Sequence, residues 1–425
     1  MGAEERKAQR TAFSGLLKAF EAWGGEGDAD LLVDWLANEL DVDGAPVRLA
    51  IADWAPALDL LARAREARPG LPESIDERLL AFFRMLLRFS KPDGRPATLT
   101  ADLEPADAVR ERLARLGDAF PESDAARVLG WWYPSREVEP IPPPLPAWSS
   151  PDRVLGVLRA DWTSRGDLVV FDHRKAGGPT RLEVFGAGQS WLGDSWQALG
   201  AGDVKTSVGK PLSWTTSSNA DVAEWTFRAG TLRVTRTAVM LRGRKIAILA
   251  DMVEGIKPPT SLETRWELPP GRIAEPIADS RALLLRTGVA GASAQAIPLA
   301  LPSLPYQTDR GRFGFEPATR ELVLSQAATG ARAWLPLLLS WDHARHRKRL
   351  QWRVLTVSEN SQVCPPETAW AARVSWGRTE TFVVYRSLGP TARRSFLGCS
   401  TSARLFVGRF TPEGDVEPIV AIKES

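Results

Sequence analysis

The hydrophobic period of this chain changes once. Through residue 133 apolar positions recur three and four apart: Phe13, Leu16, Leu17, Phe20 and Trp23 before Gly24-Gly25, then Leu32, Trp35, Leu36 and Leu40 behind Asp28 and Asp30. Such spacing collects each set on one helical face, with glycine as the stop and aspartate as the cap. A third segment, 47–61, contains Pro56, which removes a backbone donor and predicts a kink or split there. The fourth is the clearest, because Ser74 and Glu77 stand at capping-box spacing ahead of Leu79, Phe82, Phe83, Leu86 and Leu87. A turn is expected at Lys91-Pro92-Asp93-Gly94-Arg95-Pro96, and two shorter helices over 106–116 and 122–129. These stripes read as core rather than as a cofactor pocket.

Residues 134–150 break the pattern. Pro140, Pro142, Pro143, Pro144 and Pro146 favour an extended polyproline path, so this stretch reads as a semi-rigid strap between domains, pinned by Trp131, Trp132 and Trp148. From residue 151 the period becomes two. The stretch from Trp225 to Gly255 is the plainest: Leu232, Val234 and Arg236 alternate with Arg233, Thr235 and Thr237, Arg242-Gly243-Arg244 turns the chain, and Ile246 and Ile248 alternate with Ala247 and Leu249 before Asp251. It predicts a long, half-buried β-hairpin. Further strands are expected over 168–172, 181–185, 222–227, 262–268, 281–286, 321–326, 334–341 and 350–358, with hairpins at Gly377-Arg378 and Pro412-Glu413-Gly414-Asp415. The fold class is therefore α+β: a helical domain over 1–133, the strap, and a large antiparallel β-sandwich over 151–425, most simply two stacked sheets. No internal repeat is read, which counts against a propeller.

Composition narrows function by exclusion. A hydrophobic share of 44% and a charged share of 25% are those of a globular protein, and a net charge of +2 gives no field for nucleic acid. No apolar run is long enough for a membrane span, and the first residues lack a signal-peptide core, so a cytoplasmic location is the default expectation. Two cysteines, Cys364 and Cys399, make neither a disulfide framework nor a zinc site, and whether they pair is left to the fold. The bias of 17 Trp against 3 Tyr has two readings, exposed platforms for sugars or buried wedges in a β core, and burial is the commoner.

Candidate chemistry is sparse. Gly186-Ala187-Gly188 lacks the third glycine and the helix of a dinucleotide fingerprint, since Trp191 stands at that position. Gly193-Asp194-Ser195 resembles an esterase nucleophile block, but no Asp stands three residues before any of the histidines His173, His343 and His346 and there is no nucleophile elbow, so a serine hydrolase is rejected. His343 and His346 could share a metal ion if locally helical, but Asp342 to Arg349 reads as a turn. Within it Arg345, His346, Arg347, Lys348 and Arg349 form a basic cluster able to hold sulfate, uronate or phosphate, against the alternative of a solvated hairpin tip. No cofactor is predicted, and a divalent metal stays open.

Taken together, Leu182, Gly188, Leu192 and Asp194, then Arg236, Val239, Asp251 and Gly255, give a pattern that resembles heparinase II/III-like proteins. That family carries a helical toroid followed by a β-sandwich and includes lyases that use Tyr and His bases to eliminate across a uronate linkage. The resemblance implies an acidic polysaccharide as partner. It offers His173 and Tyr133 as acid–base candidates, and Trp191, Trp196, Trp214 and Arg236 as carbohydrate-binding candidates. The departures point toward lost chemistry: Lys175 stands where the family has Asp, Val234 where it often has His, and the helical region is short for a toroid. The expectations are polysaccharide binding without lyase chemistry, with an active polysaccharide lyase and a protein-interaction module docking through the helical domain as alternatives.

Overall fold

The computed structural model describes residues 14–15, 30–67, 73–97, 105–133, 142–198, 205–288, 292–307, 311–378 and 380–423. The chain divides into two compact units, residues 1–148 with Asp161–Gly166, and Ser149–Ala160 with 167–425.

The first unit is helical: α1 (Asp30–Glu39), α2 (Ile51–Ala67), α3 (Glu73–Arg88), α4 (Ala106–Ala119) and α5 (Asp124–Trp132). The stripe read on α3 is its buried face, with Leu79, Phe82, Phe83, Leu86 and Leu87 all inside. Ser74 lies within the first turn of α3, not at its cap. Pro56 does not split α2, which continues through it, so neighbouring packing outweighs the one lost backbone bond. Trp54 fixes that packing, edge-on to Phe82 at 6.1 Å and Phe89 at 5.0 Å. The helix expected over 13–23 lies outside the described residues apart from 14–15. Of the strap, residues 142–148 are described: the Pro144 carbonyl accepts from Trp162 Nε1 at 2.7 Å and the Leu145 carbonyl from Arg88 Nε at 2.9 Å. Trp148 Nε1 donates to Asp43 at 3.1 Å.

A repeat that the sequence reading missed organises this unit. The turns after α1 and α3 share one form, Asp43-Gly44-Ala45-Pro46 and Asp93-Gly94-Arg95-Pro96, each closed by an isolated bridge, Leu40 to Pro46 and Ser90 to Pro96. Their backbone bonds correspond: Asp41 N to Ala45 O at 3.1 Å and Lys91 N to Arg95 O at 2.8 Å. Both glycines hold left-handed φ, +85° and +84°, and each turn presses on the next helix pair. A Cβ on Gly44 would collide with the backbone of Ala81 and Phe82 in α3, and one on Gly94 with Leu113 of α4.

The second unit is almost all antiparallel β. A central eight-stranded sheet runs, in spatial order, Ile273–Pro276, Leu283–Arg286, Ser293–Pro298, Arg332–Ser340, Ile246–Glu254, Leu232–Leu241, Ala220–Ala229 and Lys210–Thr216. The hairpin read from the sequence lies inside it, and both its faces are covered, which corrects the half-buried expectation. One face, with Trp225, Phe227, Val234, Ala238 and Leu249, packs in a core with residues of the sheet carrying Leu168–Asp172 and Arg181–Gly186 and of a four-stranded sheet built on Thr260–Glu267. The other, with Val222, Val239, Ile248 and Leu338, shares a core with a five-stranded sheet of Leu350–Leu355, Ala369–Trp376, Glu380–Ser387, Leu405–Phe410 and Val416–Ile422. That sheet's far side, Ala371, Val383, Tyr385 and Phe406, meets Phe396 of a small outer sheet. Layers stack beyond the two expected. The expected strands and the two late hairpins are present, except that the strand expected over 350–358 ends at Leu355, and among the described residues one short helix, α6 (His343–His346), is the exception to β structure here. Among the described residues no helix is long and apolar enough to cross a membrane.

Gly44→Ala and Gly94→Ala should each cost about 2 kcal/mol or more, because a side chain must enter a left-handed backbone and an occupied space. Gly243→Ala, also at positive φ but facing open space, should cost less. Denaturant unfolding of the three variants checks the order.

Candidate functional site

The central hairpin places Arg236 directly opposite Asp251 in register. Both side chains are 1% exposed, and the guanidinium meets the carboxylate twice, Nε to Oδ1 at 2.7 Å and Nη2 to Oδ2 at 3.0 Å. Nη1 donates to Thr180 Oγ1 at 2.6 Å and to the Trp196 carbonyl at 2.9 Å. The cation lies 4.1 Å from the Trp196 ring centre and 5.0 Å from that of Phe227. Thr180 reaches this point because a single bridge pairs it with Trp196, just before the strand Arg181–Gly186.

His173 completes the cluster at the end of the strand Leu168–Asp172. Its Nδ1 is 2.6 Å from Thr180 Oγ1 and its Nε2 is 3.2 Å from the Ser207 carbonyl. The donor roles follow by elimination. Arg236 can only donate, so the Thr180 oxygen accepts from it; the Ser207 carbonyl can only accept, so the proton sits on Nε2 of His173. Nδ1 then receives the Thr180 hydroxyl proton. Burial and, next, the Arg236 charge push the imidazole pKa down to about 4, which keeps the ring neutral. The cluster lines a cavity of about 150 Å³ together with Gly177, Gly178, Pro179, Gln197 and Thr206. Chemically it is a saturated polar knot. A base with so low a pKa and an occupied lone pair is poorly suited to taking a proton from carbon.

Several sequence expectations are corrected by burial. Trp191 and Trp196 are fully buried, with indole N–H groups donating to the Gly186 carbonyl at 3.0 Å and to Thr264 Oγ1 at 3.2 Å, so neither offers a face to a sugar. Arg236 is spent on Asp251. Trp214 is half-buried on the edge strand Lys210–Thr216 and keeps some exposed surface. Asp342 to Arg349 is not a plain turn, because Asp342 caps α6 by accepting from Ala344 N at 3.0 Å. Arg345 is buried and pairs with Glu380 at 2.6 Å, over the Trp376 ring at 4.9 Å. His346 Nδ1 meets Ser293 Oγ at 2.6 Å, and burial lowers its pKa. Arg347, Lys348 and Arg349 stay exposed, Lys348 with Glu380 at 3.6 Å. The basic cluster is thus divided between core and solvent. Among the described residues no His, Cys, Asp and Glu group could hold a metal.

Tyr133 ends α5, under Arg110 at 5.6 Å, and burial raises its pKa above the ordinary phenol value. It belongs to the helical unit and His173 to the β unit. Gly186-Ala187-Gly188 is a hairpin turn with Ala187 and Gly188 at positive φ. Asp194, also at positive φ, turns the chain between strands, and Ser195 Oγ meets Gln197 Nε2 at 3.3 Å. Cys364 and Cys399 are free thiols packed beside the outer core. Thr180, which joins His173 to Arg236, carried no sequence signal.

No protein-family model and no curated protein matches the chain. Solved structures do. A heparan sulfate lyase from Pedobacter heparinus superposes with a TM-score of 0.66 at 13% identity, covering 90% of this chain and 66% of that one. A heparinase III superposes at 0.63 and 10% identity over 83% of this chain and 62% of that one, and a second heparinase III at 0.63 and 12% over 88% and 64%. The chain therefore has the heparinase III fold, and it spans just under two thirds of these proteins' length.

Two outcomes follow from the knot. Asp251→Ala should cost about 3–5 kcal/mol, since it strands a buried guanidinium; unfolding in denaturant measures it. A histidine whose pKa is depressed on folding stabilises the fold above its unfolded value, and that stability is lost as pH falls from 6.5 towards 4. The loss attributable to His173 should be on the order of 3 kcal/mol, and His173→Gln should flatten that part of the stability profile.

Proposed function

We propose that this chain binds an acidic polysaccharide on a heparinase III-type scaffold without eliminating it through His173 and Tyr133. The observation that carries this reading is the state of His173, 1% exposed and bonded at both ring nitrogens. An elimination needs a base that reaches a proton alpha to the uronate carboxylate, and pKa values near the working pH favour the transfer. His173 sits well below that range, and burial moves Tyr133 further from its phenolate form. Heparan sulfate is the first substrate class to test, because that is what the Pedobacter lyase of the same fold acts on.

Immobilised heparan sulfate should retain the protein, with retention falling as salt rises, as charge-driven contacts require. Incubation with heparan sulfate and other uronate polysaccharides should give no growth in the ultraviolet absorbance of unsaturated uronate ends. Absorbance growth that disappears in His173→Ala and Tyr133→Phe would overturn the loss of chemistry. Absence of retention at low salt would overturn the binding.

A further inference from the structure

The strand Leu350–Leu355 forms one edge of the five-stranded sheet and pairs with Ala369–Trp376. Their register sets Arg353 directly opposite Arg373. Side chains of directly paired residues leave the same face with Cβ atoms about 5 Å apart, and like charges placed so repel. Buried arginines of this unit are matched, Arg345 with Glu380, Arg386 with Glu224 and Arg394 with Glu359; Arg353 is exposed and Arg373 half-buried. Among the described residues neither Arg353 nor Arg373 has an ion-pair or hydrogen-bond partner. Burial and, next, the Arg353 charge both press the Arg373 pKa down.

These two arginines line a cavity of about 550 Å³ with Ser303, Gln307, Gln351 and Trp352, and no carboxylate is among its described lining residues. Its wall is prebuilt. Arg281 donates to the carbonyls of Gln307 at 2.8 Å and Pro305 at 3.3 Å, and Trp352 Nε1 holds the Leu301 carbonyl at 2.7 Å. A volume of a few hundred cubic ångströms suits a ligand of sugar size.

We propose that this groove binds a phosphate monoester, close to doubly charged at neutral pH, carried on a small hydroxylated molecule. The repulsion across the strand pair is relieved by a dianion and only half relieved by a carboxylate. Planar guanidinium forks match tetrahedral oxyanions through paired N–H bonds. Gln307, Gln351 and Ser303 supply neutral donors and acceptors for hydroxyls. This site is separate from the His173 knot and does not depend on polysaccharide binding.

Calorimetric titration at constant ionic strength, with inorganic sulfate, inorganic phosphate, a hexose sulfate, a hexose phosphate, glucuronate and glucose, tests it. The hexose phosphate should bind saturably and more tightly than inorganic phosphate, with the singly charged hexose sulfate and glucuronate weaker and glucose weakest. Arg353→Gln and Arg373→Gln should each weaken binding about tenfold or more, the loss of one charge-assisted contact. Arg228→Gln, at an exposed position outside the groove, should leave it unchanged. Without anion at low salt, Arg373→Gln should raise the thermal midpoint, because a repulsion is removed, whereas loss of a merely structural arginine would lower it. The proposal is overturned if the hexose phosphate does not bind saturably, if either glutamine variant binds as the parent does, if hexose sulfate or glucuronate matches the hexose phosphate, or if the anion-free midpoint of Arg373→Gln falls.

Discussion

The β unit depends on a buried charge pair where three sheets converge. Arg236 and Asp251 face each other across two central strands, and their remaining bonding capacity goes outward. Arg236 holds Thr180, beside the first sheet, and the Trp196 carbonyl, while Asp251 Oδ2 takes the Thr264 hydroxyl at 2.9 Å from the four-stranded sheet. Taking two charges out of water is expensive, and such a pair survives only with strong geometry and its other donors satisfied. The geometry is strong: four of the five guanidinium N–H groups are hydrogen-bonded, and the flat cation lies over Trp196. His173 packs onto this arrangement, tilted against Phe227 at 4.5 Å, and burial first, then the Arg236 charge, keeps it neutral.

That arrangement explains how much the sequence could disclose. The central hairpin was legible because its turn chemistry and alternation agree, and Arg236 and Asp251 were noticed as polar interruptions. Alternation misled on burial, because a strand between two packed layers buries its polar-looking face too; Thr235 and Thr237 are each 1% exposed. The tryptophans misled for the same reason. Whether Trp191 or Trp214 meets solvent is decided by which layer covers its sheet, and layer order is not written in local period. In the helical unit, the turn at Lys91 to Pro96 is legible from its proline and glycine, whereas its twin at Asp41 to Pro46 is evident only from the matching bridge and backbone bonds. The two share Asp-Gly-x-Pro and little else, since the helices around them are constrained by their own packing.

The candidate chemistry fared worse than the fold, and for a consistent reason. Residue type marked His173, Arg236 and Arg345 as reactive or binding groups, yet each is spent within the core on Thr180, Asp251 or Glu380. Arg353 and Arg373 carry no motif and stand twenty positions apart in sequence. Their lack of partners becomes visible only through strand register.

Charge also joins the layers on the other side of the central sheet. Glu224, wholly buried, receives Arg386 and Arg404 from the five-stranded sheet region, and those cations hold its carboxyl below the usual range despite its burial. Arg345 reaches from α6 to Glu380 and to the Arg244 carbonyl at 2.7 Å. Apolar burial is roughly proportional to area and has no preferred direction, so stacked sheets with aliphatic faces could meet in several orientations. Bidentate pairs and charge-assisted bonds have fixed geometry. In this unit they stand at the crossings between layers, where an error of orientation would leave a charge buried and unpaired. The Arg353–Arg373 pair stands outside those crossings, on an edge strand and its neighbour, where two like charges face each other in register.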